Sequence, residues 1–263
     1  MKRFAPATAL LALSVVLGPA RAARGAESLS ELVGRADRVL RGKTTAAVLD
    51  MHVHTKSFDR TYGIVFFGDD RGGTSRALVK ILGPARFRGH GTLKTGGKLF
   101  LYDPSTDRVT VLSSSMLGDD WMGSHFTNDD LVKETDLAKD YRPKLLKEWT
   151  APEGEKPATH YRIRLDPTPE AKVSWDHLIL TLYQQGDAVI PTEEEYFRRA
   201  ADERAERTLT FTDVKDVGGR TAPTRLTMHV ASKAGEFTEI HYTEIRFDVD
   251  VPAAKFTEQG LRK

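Results

Sequence analysis

The sequence predicts a mainly β fold with helices: a strongly curved, unclosed antiparallel sheet of about ten or eleven strands, with helices against one face. Three observations predict it. Apolar and polar residues alternate along most of the chain after an N-terminal helical stretch, which is the period of half-buried strands. The alternating runs are joined by short links with turn chemistry, "GDDRGG", "LGPAR", "KTGGK" and "DPSTD". Such links are too short for parallel crossovers, so neighbours run antiparallel. Helical patterning is confined to the N-terminus and to an insert in the middle of the chain. So many strands in one sheet must curl, and a curled sheet that does not close has a concave face.

Residues 1–22, "MKRFAPATALLALSVVLGPARA", read as a signal peptide. Lys2 and Arg3 form the positive start, Ala9 to Leu17 the apolar stretch, and Ala20-Arg21-Ala22 the small-x-small cleavage site. Cutting after Ala22 leaves residues 23–263 as one exported domain, since no linker argues for two. The apolar run is too short to span a membrane. The chain has no cysteine, so neither a lipid-modified junction nor a disulfide framework is expected. Losing Lys2, Arg3 and Arg21 takes Lys+Arg from 39 to 36 against 37 Asp+Glu, a net charge of −1 with histidine neutral. No run of Lys and Arg with interleaved aromatics suggests a nucleic-acid surface.

Residues 27–42 follow as a helix, with Leu29, Leu32, Val33, Ala36, Val39 and Leu40 in one stripe. Ser28 or Ser30 serves as its cap and Gly42 as its end. "AAVLDMHVHTK" then places Ala47, Leu49, Met51 and Val53 on one strand face and Asp50, His52, His54 and Lys56 on the other. "YGIVFFGD", "RALVKIL", "GTLKT", "KLFLYDP" and "RVTVL" continue the meander. After the insert come "THYRIRLDP", "WDHLILTLYQQ", "PTEEEYFRRA", "AERTLTFTDV", "APTRLTMHVAS" and "EFTEIHYTEIRFDVD". Met51, Phe66, Leu78, Leu99, Leu101, Leu180 and Leu182 are candidates to line an apolar groove or cavity on the concave face. The same periodicity arises if they fill a core against the helices.

The insert contains "MLGDDWMGSHFTNDDL", residues 116–131, with four aspartates and a histidine. As a metal site, Asp119, Asp120, His125, Asp129 and Asp130 lack the spacing of a calcium loop, and zinc would want more His or Cys. As catalytic acids they lack any sign of burial. A third reading explains more. Thr127 stands at a helix N-cap and Asp130, three residues on, completes a capping box, with Asp129 and Asp130 at the positive end of the helix dipole. Trp121, Met122 and Phe126 are then apolar groups on a lid over the sheet. His52 and His54 share a strand face, but no third ligand is evident near them. Ser113, Ser114 and Ser115 lack the surroundings of a nucleophile elbow. Neither a metal nor another cofactor is expected, and none of these residues is expected to be catalytic.

"RALVKILGPARFRGHGTLKTGGKLFLYDPSTDRVTVLSSS" followed by "WMGSHFTNDDL" resembles the outer-membrane lipoprotein-sorting, or LolA-like, family of periplasmic proteins. Lys80, Gly83, Gly91, Leu93, Lys94, Leu101, Tyr102, Pro104, Val109, Met122, Gly123, Ser124, Phe126, Thr127, Asp129, Asp130 and Leu131 carry the match. Phe256, Thr257 and Leu261 resemble the family's closing signature. The "MGS-F-T-x-D-D" group marks a broader branch than the dedicated lipoprotein carrier. The resemblance implies an unclosed half-barrel covered by helices, enclosing a hydrophobic cavity for acyl chains. It implies a non-enzymatic periplasmic binder or carrier of lipids or lipoprotein acyl chains, with an inner-membrane transporter and an outer-membrane acceptor as partners. The alternatives are an adaptor or sensor docking an envelope partner, which expects an external apolar patch, and an enzyme, which expects the histidines and aspartates to converge.

Overall fold

A computed structural model describes residues 27–72, 74–132, 136–171 and 173–263; the signal-peptide expectation for residues 1–22 lies outside the described residues. One antiparallel sheet of 13 strands carries the fold. Its first meander comprises β1 (Thr44–His54), β2 (Asp59–Asp69), β3 (Arg76–Gly83), β4 (Gly91–Thr95), β5 (Lys98–Asp103) and β6 (Arg108–Val111). The second comprises β7 (Tyr141–Glu153), β8 (Lys156–Pro167), β9 (His177–Gln185), β10 (Ala188–Phe197), β11 (Arg207–Val217), β12 (Arg220–Val230) and β13 (Phe237–Phe247). The two meanders join where β1 pairs with β13, which leaves β6 and β7 as the free edges. The chain between those edges carries the insert.

Strand β7 is not among those the sequence predicts. Its stretch "YRPKLLKEWTAPE" has five charges, two prolines and no alternation. Proline removes a ladder donor and is tolerated in edge strands, so β7 forms where a central strand would not. The insert is less helical than expected. It holds α2 (Asn128–Val132) and α3 (Leu137–Asp140) with single-turn 3₁₀ segments before them. The N-terminal helix α1 spans Leu29–Asp37, shorter than its apolar stripe. Ser28 caps it in a capping box with Glu31, and Val39 and Leu40 lie in the turn that follows.

One face of the sheet, here the inner face, is covered by α1 and the insert. Leu32, Val33 and Ala36 of α1 and Leu137 of α3 pack on Ile163, Leu165, Leu178, Leu180 and Leu182. Trp121 packs on Leu49, Met51, Ile64, Val79 and Ile81. Between them lie Leu209, Phe211, Leu226 and Met228 of β11 and β12, joined to both neighbours through Tyr196, Ile240 and Tyr242. Fully burying each such aliphatic side chain contributes about 1.5–3 kcal/mol, so this apolar strip dominates the packing.

On the outer face, the C-terminal helix α4 (Glu258–Arg262) and the turn before it cover β3 to β5, and Val39 packs on a second cluster of Ala158, Tyr183 and Ile190. Phe256 and Leu261 pack there on Leu78, Leu93 and Tyr102. Thr257 caps α4 by accepting from the Gly260 N–H, and the Lys80 ammonium donates to the Leu261 carbonyl at 2.5 Å. A Cβ on Gly91 would stand 2.6 Å from Leu261 Cδ1. Gly91, Lys80 and the closing Phe-Thr-Leu group are thus parts of one lock between the chain's end and the sheet.

Candidate functional site

The insert folds back on itself before it meets the sheet. The Trp121 N–H donates to the Phe126 carbonyl at 2.8 Å, the Asn128 N–H to the Asp119 carbonyl at 3.0 Å, and the Asn128 side chain to the Met116 carbonyl at 3.0 Å. Met122 and Gly123 take consecutive left-handed conformations, φ 54° and 72°. That conformation costs a non-glycine residue roughly 1–2 kcal/mol, so Met122 is strained. Thr127 and Asp130 close a reciprocal cap: the Asp130 carboxylate accepts from the Thr127 N–H at 2.7 Å, and the Thr127 hydroxyl accepts from the Asp130 N–H at 3.3 Å.

Polar side chains from outside the insert hold this lid. The Trp121 indole N–H donates to the Thr92 hydroxyl at 3.1 Å, and the Tyr62 hydroxyl donates to the Met122 carbonyl at 3.2 Å. Lys233 pairs with Asp120 at 2.8 Å. Arg207, itself buried, grips Asp130 with both terminal nitrogens at 2.8 and 3.2 Å and donates to the His125 carbonyl at 3.0 Å. The Thr238 hydroxyl lies 2.9 Å from the His125 N–H and 2.8 Å from its Nδ1. Burial and the nearby Lys233 lower the His125 pKa, with Glu236 and Asp120 pulling the other way.

Of the residues named as cavity lining, Met51, Phe66, Trp121 and Met122 meet in one inner-face cluster, and Leu180 and Leu182 in another. Phe126 packs on the cluster between them. Leu101 pairs with Thr92, the partner of Trp121, and Leu99 with Lys94, which puts both on the inner face. Leu78 does not belong there. Register sets it beside Phe67 and Leu93 on the outer face under Leu261. The sequence is apolar at both parities of β3, because both of its faces are covered; Val79 and Ile81 are the inward residues.

The cover is incomplete between α1 and the lid. Leu40, Phe126, Tyr196, Ile240 and Tyr242 all touch the central inner cluster, yet each stays only half-buried, while Met51 and Leu180 on either side are fully buried. This gap opens onto the apolar strip. One acid stands in it. Glu194 lies between Leu180 and Leu209 in register, so its side chain is on the inner face. The Tyr196 hydroxyl donates to it at 2.5 Å. Burial pushes the Glu194 carboxyl up to about 7; the Tyr196 hydrogen bond opposes this, nearby Asp37 adds to it, and Arg41 opposes it. Asp37, on the last turn of α1, is raised by burial too, against the pull of Arg41, which lies 3.5 Å away. Tyr196 and Tyr242 are raised by the same desolvation.

The other groups weighed in the sequence lie elsewhere. His52 and His54 stand on the outer face and share Asp59, at 2.9 and 2.7 Å. Asp119 and Asp120 are exposed. Among the described residues no three His, Asp or Glu side chains are arranged to hold a metal ion. No helix among the described residues is long and apolar enough to cross a membrane.

Comparison with known proteins agrees with this geometry. A family model described only as an uncharacterized protein matches residues 73–263. No curated protein matches the sequence. A domain from Vibrio parahaemolyticus named for outer membrane lipoprotein sorting superposes with a TM-score of 0.71 at 19% identity, covering 89% of this chain and 98% of that one. A DUF1329 family protein from Desulfovibrio piger gives 0.73 at 18% identity, covering 88% and 97%. A LolA superfamily protein from Nitrosomonas europaea gives 0.67 at 21% identity, covering 89% and 100%. The fold is therefore the LolA-like unclosed half-barrel.

Proposed function

The chain belongs to the uncharacterized family whose model spans residues 73–263, and we propose that it is a periplasmic binding or carrier protein for lipids or lipoprotein acyl chains, without catalytic activity. The observation that carries this reading is the uncovered gap over the apolar strip, bordered by Leu40, Phe126, Tyr196, Ile240 and Tyr242. An acyl chain entering there replaces water on these side chains. Each methylene buried contributes about 0.8 kcal/mol, so part of one chain binds without specific polar contacts. Lifting the lid exposes the clusters around Trp121 and Met122 and extends the strip toward β1 to β3. Lifting the lid breaks polar ties that water can replace and uncovers the apolar contacts of Trp121, which an entering acyl chain can replace.

In this reading the signal peptide takes the protein to the periplasm, and cargo passes from an inner-membrane transporter to an outer-membrane acceptor. The test is native mass spectrometry of the mature protein from the periplasm, with extraction and identification of bound lipid. A stoichiometric phospholipid or acylated protein is expected. A clean apo mass that takes up no added lipid overturns the carrier and leaves the adaptor reading.

A further inference from the structure

Large exposed apolar side chains among the described residues are Leu82, Val111, Met116, Leu145, Leu146 and Val214. Four of these six border the unclosed side of the sheet. Val111 ends the edge strand β6, Met116 follows it, and Leu145 and Leu146 lie in the other edge strand, β7. The β7 pair is held out by a local irregularity. Leu145 pairs with Ile163 and Lys147 with Arg162, so Leu146 is the extra residue of a bulge. A bulge and a charge are the usual means by which an edge strand is kept from pairing. Here the bulge presents a second leucine beside the first. Around them Arg142, Lys144 and Lys147 are exposed, with Glu148 the one acid in residues 142–148. Lys147 also lies over the Trp149 ring at 5.0 Å.

The register sets Leu145 on the inner face opposite Ile163, and Arg142, Lys144 and Lys147 on the other face opposite Asp166, Arg164 and Arg162. Met edge-on, β7 therefore offers two leucines flanked by cations, which complement a surface that is anionic outside and apolar beneath. A second protein strand is a poorer match. It would need a continuous row of backbone donors and acceptors, and the bulge and Pro143 interrupt that row at this point. We propose that residues 142–147 of β7 dock the protein on a lipid bilayer bearing anionic headgroups, with Leu145 and Leu146 entering the acyl boundary and Arg142, Lys144 and Lys147 meeting headgroup phosphates. Leu145 also continues the inner-face row Ile163–Leu180 to the open edge. Docking would therefore set the end of the apolar strip against the bilayer. That role in chain transfer rests on the carrier reading; the docking itself does not.

The test is flotation of the mature protein with vesicles of phosphatidylethanolamine and phosphatidylglycerol, against vesicles in which phosphatidylcholine replaces the phosphatidylglycerol. Wild type is expected to float with the anionic vesicles only. Leu145→Ser/Leu146→Ser and Lys144→Glu/Lys147→Glu are each expected to weaken binding by at least about tenfold. Both replace exposed side chains, and unchanged thermal unfolding shows that each variant is folded. Wild type that stays off anionic vesicles overturns the proposal, including where it is captured instead by an envelope protein. Leucine variants that bind like wild type overturn insertion. Native mass spectrometry of the same samples separates the two readings: protein that never carries lipid yet floats retains the docking surface and loses the carrier.

Discussion

Replacing Glu194 by glutamine should remove a pH-dependent loss of stability. The carboxyl stands among Leu180, Leu209 and Tyr196, and its pKa is raised from 4.5 to about 7, chiefly by burial. The unfolded chain releases this proton near its ordinary value, the folded chain only near 7. Between these values the unfolded state binds fewer protons, so unfolding becomes easier as pH rises. The contribution is most favourable below about pH 4.5, falls through the window up to about 7, and is flat above it. The full shift corresponds to about 3 kcal/mol at 1.36 kcal/mol per unit. Glu194 keeps some contact with water, so roughly 2 kcal/mol between pH 5 and pH 8 is the expected effect after screening. The glutamine side chain keeps the isosteric shape and can still accept from Tyr196. Urea unfolding of both proteins at pH 5 and pH 8 measures the difference of differences, in which titrating groups uncoupled to Glu194 cancel; the result contains Glu194 together with its coupling to Asp37. A value near zero would refute the inward placement of Glu194 or its desolvation.

Gly91→Ala should destabilise by about 1–3 kcal/mol, because its Cβ meets Leu261 of the C-terminal helix. A thermal-unfolding cycle with Leu261→Ala should show the two losses adding to less than their sum, since the second substitution removes the clash. Arg207→Gln takes the bidentate partner from Asp130 and the donor from the His125 carbonyl. Hydrogen exchange should then speed up about tenfold or more across residues 121–131 and stay unchanged in β8 and β9, one tenfold step being about 1.4 kcal/mol of local opening. Uniform acceleration would mean that Arg207 holds the whole fold rather than the lid.

The alternation of β1 is legible without a structure, because one of its faces is buried and the other is not. The antiparallel order within each meander follows from turn lengths; the β1–β13 pairing that joins the two does not. Glu194 is beyond reach for a specific reason. In "IPTEEEYF" simple alternation from Val189 and Pro191 would send Glu193 and Glu195 inward. A bulge between Pro191 and Glu193 inserts Thr192 and reverses the parity, so Glu194 and Tyr196 point inward instead. The same device in β13, where Thr243 is the extra residue, sets Tyr242 and Ile240 inward opposite Leu49 and Met51. Both inversions supply side chains to the gap. Arg207 escapes sequence reasoning because an arginine opening a strand reads as solvent-facing until the lid is folded over it. Leu78 is misplaced by it because the sequence of β3 does not say that a distant C-terminal helix covers its outer face.

These two inversions give the gap a property that a purely apolar cavity lacks. A lipid chain filling it would strip Glu194 of its remaining water, and the carboxyl would then be still harder to ionise. Binding of chain and binding of proton are therefore linked with positive sign. Affinity should be highest below pH 7, where Glu194 enters the complex neutral, and should fall as pH rises through 7 to 8, by at most about tenfold per unit for one proton. Asp37 raises the Glu194 pKa and Arg41 lowers it, so both bear on the position of the slope. Competition with a fluorescent fatty acid at pH 6, 7 and 8 reads this directly. Wild type should weaken across the series, and Glu194→Gln should bind at every pH as wild type does at pH 6. If both proteins show the same slope, the chain does not occupy the gap beside Glu194. If the slope is reversed, Glu194 is contacting a cationic or hydrogen-bonding headgroup, and the polar end of the ligand rather than its chain lies between α1 and the lid.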